Sequence, residues 1–155
     1  MRMQGGALVS AISPHGIIDL EFAWSPARVT ALKAAWDPGS IYLNTALDFL
    51  YILSYTSFLV AACRWVTAKA GWERAGGIGA SATLVAGCAD ALENALMMTA
   101  LHNPSGSAIT AAGILASVKF ALLAVVAAFL WVAFFASLKR KGRRRKQTGS
   151  ESVYF

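Results

Sequence analysis

Residues 78–101 form an apolar stretch that is long enough to cross a lipid bilayer, which requires about 20 apolar residues. Two carboxylates and an amide nevertheless lie near its centre, at Asp90, Glu93 and Asn94. At 3.6 residues per turn these three side chains fall on one face of a helix. Because an ionisable group at membrane depth costs about 2.5–3.5 kcal/mol on insertion scales, this face predicts a functional site or a network of ion pairs.

The composition of the chain is that of a membrane protein. Hydrophobic residues make up 57% of it and charged residues only 14%, whereas soluble domains carry about 25% charged residues. The net charge of +6 is local, because seven of the fourteen Lys and Arg residues lie within residues 139–146. A basic cluster directly after an apolar helix is typical of the cytoplasmic flank of a membrane span, and it does not indicate a nucleic-acid-binding surface.

Two further apolar stretches have the length of membrane spans. Residues 41–63 contain one charged side chain, Asp48, and residues 108–138 contain one, Lys119. The sequence therefore predicts an all-α transmembrane helical bundle with three spans, formed by residues 1–138 as a single membrane-embedded domain.

The first span carries a polar stripe on an otherwise apolar helix. Its members repeat at positions i, i+4, i+7 and i+11, which lie on one side of a helix. They are Asn44, Asp48, Tyr51 and Tyr55. In lipid such a stripe has to face protein or water, so we expect it to contribute to the same site as the charges of the second span.

The N-terminal part of the chain allows several interpretations. Residues 1–18 include an apolar segment that is too short to span as written, so it is either re-entrant or interfacial, or a fourth span shortened at its N-terminus. A signal peptide is the weaker interpretation, because no cleavage site is evident. Residues 26–36 are predicted to form a short amphipathic helix flanked by Trp24 and Trp36, which suits the bilayer surface. The alternative is a packed loop helix without membrane contact.

The basic residues predict the orientation of the bundle. Residues 139–155 are expected to form a disordered cytoplasmic tail in a bacterial inner (cytoplasmic) membrane. This orientation places the net basic loop 64–77 on the cytoplasmic side and residues 19–40 outside. We expect the tail to contact anionic lipid headgroups through seven side chains. These are Lys139, Arg140, Lys141, Arg143, Arg144, Arg145 and Lys146.

The rise of an α-helix predicts that the charges of all three spans share one layer. At 1.5 Å per residue, Asp48 lies about 10 Å, Glu93 about 12 Å and Lys119 about 16 Å from the outer ends of their helices. Asp90 lies at the depth of Lys119. Three carboxylates against one lysine leave two negative charges if all ionise, so the layer would hold protons or take up a cation. The alternative is an ion-pair network that sets the register of the helices.

These observations favour a membrane protein that performs ion- or proton-coupled or small-solute binding or transport. The alternative is a structural or accessory membrane subunit whose buried ion pairs fix helix packing. A homo-oligomer or a partner membrane subunit is expected, because three spans enclose little volume. No cofactor and no metal site is predicted, since the cysteines and histidines lack ligand spacing.

A lipid-active membrane enzyme is a third and less favoured possibility. In it Glu93 would be a general base and Lys119 an electrophile. No nucleophile is recognisable, and Tyr51, Tyr55 and Ser117 are candidates only by residue type. We therefore leave enzymatic activity open and do not favour it.

Three short segments of the chain resemble a family of small bacterial polytopic membrane proteins. They are Gly16–Ala23, Asp48–Tyr51 and Asp90–Asn94. The resemblance covers about residues 16–138. Members of this family usually have four predicted helices, so the resemblance implies that a first helix is missing or shortened here, and it implies no activity.

The order of a surface helix followed by three spans is also loosely similar to prokaryotic diacylglycerol kinase, in which a glutamate–asparagine site lies on one span. Glu93-Asn94 matches that feature. The family has a second glutamate further along the same helix, where this chain has Met97-Met98. Its Lys-Asp pair lies near the start of the last helix, whereas Lys119 lies deep and precedes Phe120. Two motifs of that family, the second glutamate and the Lys-Asp pair, are therefore not matched in this chain, which puts the family's activity in doubt here.

Overall fold

The computed structural model describes the backbone of residues 4–151 and the side chains of residues 6–140. Within this part of the chain the ordered elements are helices, which confirms the all-α prediction. A short 3₁₀ helix at Gln4–Leu8 precedes five α-helices. The α-helices are α1 (Ile18–Glu21), α2 (Pro26–Ala35), α3 (Pro38–Ala70), α4 (Glu73–His102) and α5 (Gly106–Glu151).

Three of these helices are long and apolar enough to cross a membrane: α3, α4 and residues 106–140 of α5. They contain the three predicted spans and extend beyond them at both ends. Their ends follow from local backbone chemistry. Pro38 begins α3, where a missing N–H costs nothing, and Gly71 follows its last residue with a φ of +76°, a left-handed conformation that glycine adopts readily.

The chain forms two compact units. The first contains the described residues up to Tyr55 together with Val85–Ala121, and the second contains Thr56–Leu84 together with the described residues from Leu122 onward. The core of the first unit joins the apolar side of α2 to residues of α4 and α5. Leu32 of α2 is fully buried there, in one cluster with Met97 and Ile109.

Helix α2 begins where the sequence predicts it. The side chain of Ser25 accepts a hydrogen bond from the backbone N–H of Arg28, and Pro26 occupies the first helical position. Its apolar side is turned toward the protein, since Val29 is 1% exposed and Trp36, directly after the helix, is 4% exposed. This burial agrees with the packed-helix alternative, and a place at the bilayer surface stays a prediction.

No helix long enough to cross a membrane precedes α2 within the described residues, because neither of the two helices there exceeds five residues. Polar contacts hold it in a compact shape. The carboxylate of Asp19 accepts hydrogen bonds from the backbone N–H of His15 and the hydroxyl of Ser13. Desolvation raises the pKa of Asp19, but the hydrogen bonds together lower it by more. The pKa of Asp19 therefore lies below its usual value. Arg28 approaches the same carboxylate.

The backbone of the basic tail continues helix α5 through Glu151. The disorder expected of this tail stays a prediction. Lys and Arg are good helix formers, and a helix that is already nucleated extends at little cost. Residues 152–155, and the side chains from Lys141 onward, lie outside the described part of the chain. The expected contact of the tail with lipid headgroups and its cytoplasmic location therefore stay predictions.

The second unit shows close packing at small residues of α4. Its core contains Cys63, Ala80 and Val126, which are all buried. A Cβ atom added at Gly79 would lie 3.1 Å from both the Sγ atom of Cys63 and the ring of Phe129. The absence of a side chain at this position therefore lets neighbouring helices approach, as small residues do in membrane proteins.

Candidate functional site

Four ionisable side chains form a buried ion cluster in the first unit, which we call the Lys119 cluster. The Nζ atom of Lys119 lies 2.8 Å from Oδ1 of Asp90, 2.8 Å from Oε2 of Glu93 and 3.4 Å from Oε1 of Glu21. None of the four side chains is more than 8% exposed. The structure therefore contains the predicted contacts of Lys119 with Asp90 and Glu93.

Helix geometry explains how the cluster is assembled. Asp90 and Glu93 are three residues apart on α4 and so lie on the same face. On α5, Ala112 and Ala116 lie on the face that carries Lys119, and both are buried. Their small side chains leave room for other elements to approach this face.

Glu21 is a member of the cluster that the sequence does not predict, because the expected orientation places residues 19–40 outside the bilayer. It ends α1, and the aromatic residues that follow pack along α5. The ring of Phe22 stacks on that of Phe120 at a centroid distance of 6.2 Å, and the ring of Trp24 lies against Gly113. The one available signal was the apolar surroundings of Glu21 in the sequence, which are unusual for an exposed loop.

A second pair of polar contacts joins α3 to α4. The side-chain amide of Asn94 donates a hydrogen bond of 2.6 Å to Oδ2 of Asp48. The hydroxyl of Tyr55 donates one of 2.8 Å to Oδ2 of Asp90. Asn94 is 2% exposed, whereas Asp48 is half-buried. The predicted layer therefore includes side chains of α3 as well as those of α4 and α5.

Other candidate residues do not reach the cluster. Tyr51 is 65% exposed, and its ring contacts that of Tyr55. Asn44 is half-buried, and its side chain makes no hydrogen bond or ion pair within residues 6–140. The hydroxyl of Ser117 donates to the carbonyl of Gly113 in its own helix. Of the three side chains considered as nucleophiles by type, Tyr55 alone contacts a residue of the cluster.

Two carboxylate oxygens in the cluster lack a hydrogen-bond donor among the described residues. They are Oε2 of Glu21 and Oε1 of Glu93, whereas Oε2 of Glu93 lies 2.8 Å from Nζ of Lys119. Burial raises the pKa of Glu21, and the nearby Lys119 only partly offsets this effect. Buried carboxylate oxygens without donors indicate a bound proton or a further ligand, since leaving them ionised and unpaired is costly.

The residues expected to contact lipid headgroups lie apart from this cluster in the chain. Lys139 and Arg140 are exposed at the end of the described side chains. The remaining five, from Lys141 to Lys146, have side chains outside the described part. The contact of these basic residues with lipid headgroups therefore stays a prediction.

Three helices that can cross a membrane, together with charges buried among them, are the features of a multi-pass integral membrane protein, and the chain has the architecture of this class. It matches no family model, no curated protein and no solved structure.

Proposed function

We propose that this membrane protein binds and releases a proton at the Lys119 cluster as part of ion-coupled transport. The observation that carries the proposal is the imbalance of charge around one buried ammonium group. Lys119 meets three carboxylates, and the most deeply buried of them, Glu93, is 0% exposed and has no hydrogen-bond donor for Oε1 within residues 6–140.

Charge balance explains why this arrangement suits proton binding. If all four groups ionised, the cluster would carry two uncompensated negative charges. Ionised groups at membrane depth cost about 2.5–3.5 kcal/mol each even on lenient scales. The cluster is therefore most stable when protons or a small cation neutralise the excess charge, and a change in conformation that alters its surroundings would release them.

Polar residues of α3 contact the helix that carries Asp90 and Glu93. Asp48 is half-buried and bonded to Asn94, which is adjacent in sequence to Glu93. From helix rise, Asp48 lies about 15 Å and Glu93 about 14 Å from the nearer ends of α3 and α4. Helix rise thus places the two carboxylates at similar depth. In the proposed function Asp48 exchanges protons first because it is half-buried, whereas Glu93 is fully buried and holds the proton.

Proton flux into liposomes tests this proposal. The purified protein is reconstituted with a pH-sensitive dye inside, and a potassium gradient with valinomycin sets the membrane potential. We expect the wild-type protein to change the internal pH and Glu93→Gln, which cannot release a proton, to abolish this flux. Asp37→Asn is the matched control, because Asp37 is exposed. The side-chain oxygen of the new asparagine can still accept the hydrogen bond from the backbone N–H of Ser40. A folded Glu93→Gln protein with full flux would refute the proposal.

A structural or accessory role is the second candidate, and one observation favours it. Each ion pair of the cluster and both hydrogen bonds of the α3–α4 pair join two different elements. Hydrogen bonds between membrane helices contribute about 0.6 kcal/mol on average and up to about 1.7 kcal/mol. This role predicts that Glu93→Gln lowers the thermal stability or changes the oligomer size in detergent, while any flux is unaffected.

A further inference from the structure

A groove of about 760 Å³ lies in the second unit, at the end of the spanning helices that leads into the basic tail. The end of α3, the loop to α4 and one side of α5 line it. Two cations, Lys69 and Arg140, and one carboxylate, Glu73, supply the charged part of the lining, and Phe134 and Leu138 supply an apolar wall. A groove that combines cations with an apolar wall matches a ligand that is anionic at one end and apolar at the other.

The two cations are held in place by neighbours that leave their charges unpaired. The Nζ atom of Lys69 lies 3.5 Å from the centroid of the Trp65 ring, in a cation–π contact. The guanidinium of Arg140 lies directly against Gly71, where any Cβ atom would overlap it. Neither cation is within ion-pair distance of a carboxylate among the described side chains, Glu73 included. Both charges are therefore available to an anion that enters the groove.

The tryptophans at this end place the groove near the headgroups. Trp65 is 59% exposed and Trp72 is 40% exposed. Exposed tryptophans next to the end of a membrane span are typical of the bilayer interface. A lipid phosphate is present at this depth in every bilayer, and cationic pockets between membrane helices bind anionic lipid headgroups.

We propose that this groove is a binding site for one anionic phospholipid. Lys69 and Arg140 bind its phosphate, and its acyl chains lie along Phe134 and Leu138. Glu73 limits the affinity, because its carboxylate repels the phosphate from the same groove. The site is separate from the Lys119 cluster and does not depend on the function proposed for that cluster.

Lipid retention by the full-length protein tests the site. The protein in detergent micelles is titrated with short-chain phosphatidylglycerol or phosphatidylcholine, and bound lipid is counted by native mass spectrometry. We expect wild-type protein to retain phosphatidylglycerol in preference to phosphatidylcholine. Lys69→Gln and Arg140→Gln should each weaken retention about fivefold, the effect of one cation near a lipid phosphate.

Arg64→Gln is the matched control, because Arg64 is exposed, lies five residues before Lys69 on α3 and does not line the groove. We expect it to weaken retention by less than about twofold, whereas Glu73→Gln should strengthen retention about twofold. All four side chains are exposed, so the variants should fold, and circular dichroism checks their helicity.

Four outcomes would overturn the proposal. Equal losses for Arg64→Gln and Arg140→Gln would mean that the positive charge at this end of the protein as a whole attracts lipid. Equal retention of phosphatidylcholine would exclude recognition of an anionic lipid. Weaker retention by Glu73→Gln would contradict the assigned repulsion. Displacement of the lipid by inorganic phosphate at the same concentration would identify a free-phosphate site.

Discussion

The carboxylate of Glu21 lies 3.4 Å from the ammonium group of Lys119, although 98 positions separate the two residues in the chain. This contact joins the short helix α1 to the middle of a long apolar helix. Since Lys119 also contacts Asp90 and Glu93, one ammonium group links α1, α4 and α5. The same group is the single positive charge among three buried carboxylates.

Lys119→Met is expected to destabilise the protein strongly. Removing one partner of a buried ion pair leaves uncompensated charge and costs about 3–5 kcal/mol. The midpoint of thermal unfolding in detergent measures the effect. Lys139→Met is the control. Because Lys139 is exposed, the unfolding midpoint of this variant should be close to that of the wild type. Adding Glu93→Gln to Lys119→Met should restore part of the stability, and an unchanged midpoint for Lys119→Met would contradict the prediction.

Glu21→Gln is expected to change how stability depends on pH. Burial raises the pKa of Glu21 above its usual value of 4.5, with Lys119 acting in the opposite direction. A raised pKa means that the folded state binds the proton more tightly than the unfolded state. The resulting stabilisation is complete below pH 4.5 and is lost as the pH rises through the pKa of the folded state.

The glutamine variant resembles the protonated form at every pH, so its unfolding midpoint should fall less than that of the wild type as the pH rises from 4 to about 7. Its stability at neutral pH should equal or exceed the wild-type value. Thermal unfolding followed by circular dichroism across this pH range checks both statements. Parallel curves for the two proteins would show that Glu21 does not titrate differently on folding.

Hydropathy and helix geometry sufficed to predict part of the site. Asp90, Glu93 and Lys119 lie on long regular helices. The depth of each side chain and the helix face that carries it therefore follow from the rise and the periodicity of an α-helix. Glu21 lies on a helix of four residues, which is too short for any periodic signal. Its position depends on the irregular chain before it and on contacts with α5, which no local pattern encodes.

The polar stripe of α3 shows a second limit of sequence reasoning. Asp48 and Tyr55 contact α4, but Tyr51 remains 65% exposed on the same stripe. Periodicity predicts which side of a helix is polar, yet a neighbouring helix covers only part of that side. Which members of a stripe are buried is decided by the crossing geometry, and this is a property of the tertiary structure.

The hydrogen bond between Asn94 and Asp48 should show measurable coupling. A double-mutant cycle with Asn94→Leu and Asp48→Leu isolates the pairwise contribution, provided that each single variant folds. We expect a coupling free energy of about 0.6–1.7 kcal/mol, the range found for hydrogen bonds between membrane helices. Ser54→Ala replaces Asp48→Leu in the control cycle, because the hydroxyl of Ser54 donates only to Leu50 of its own helix. Equal coupling free energies in both cycles would show that the Asn94–Asp48 hydrogen bond is not the cause of the coupling.

The contact of Trp24 with Gly113 gives a steric prediction about the N-terminal segment. A Cβ atom at Gly113 would lie 2.7 Å from the Trp24 ring, and Trp24 has a φ of +52°, which is unfavourable for a residue other than glycine. Gly113→Ala should therefore displace the ring and lower the unfolding free energy by up to about 2 kcal/mol, because overpacking costs about 1–3 kcal/mol and the higher helix propensity of alanine offsets about 1 kcal/mol of it. Tryptophan fluorescence and thermal unfolding in detergent measure the two effects.

Gly77 provides the matched control for this substitution, since it is also helical but has no atom within 4 Å of an added Cβ. Gly77→Ala should be neutral or stabilise by up to about 1 kcal/mol, because alanine favours the helix. The steric cause is isolated by adding Trp24→Ala, which removes the ring that the new methyl group meets. In that background Gly113→Ala should behave like Gly77→Ala. If it remains destabilising, contacts of α5 other than the Trp24 ring account for the loss.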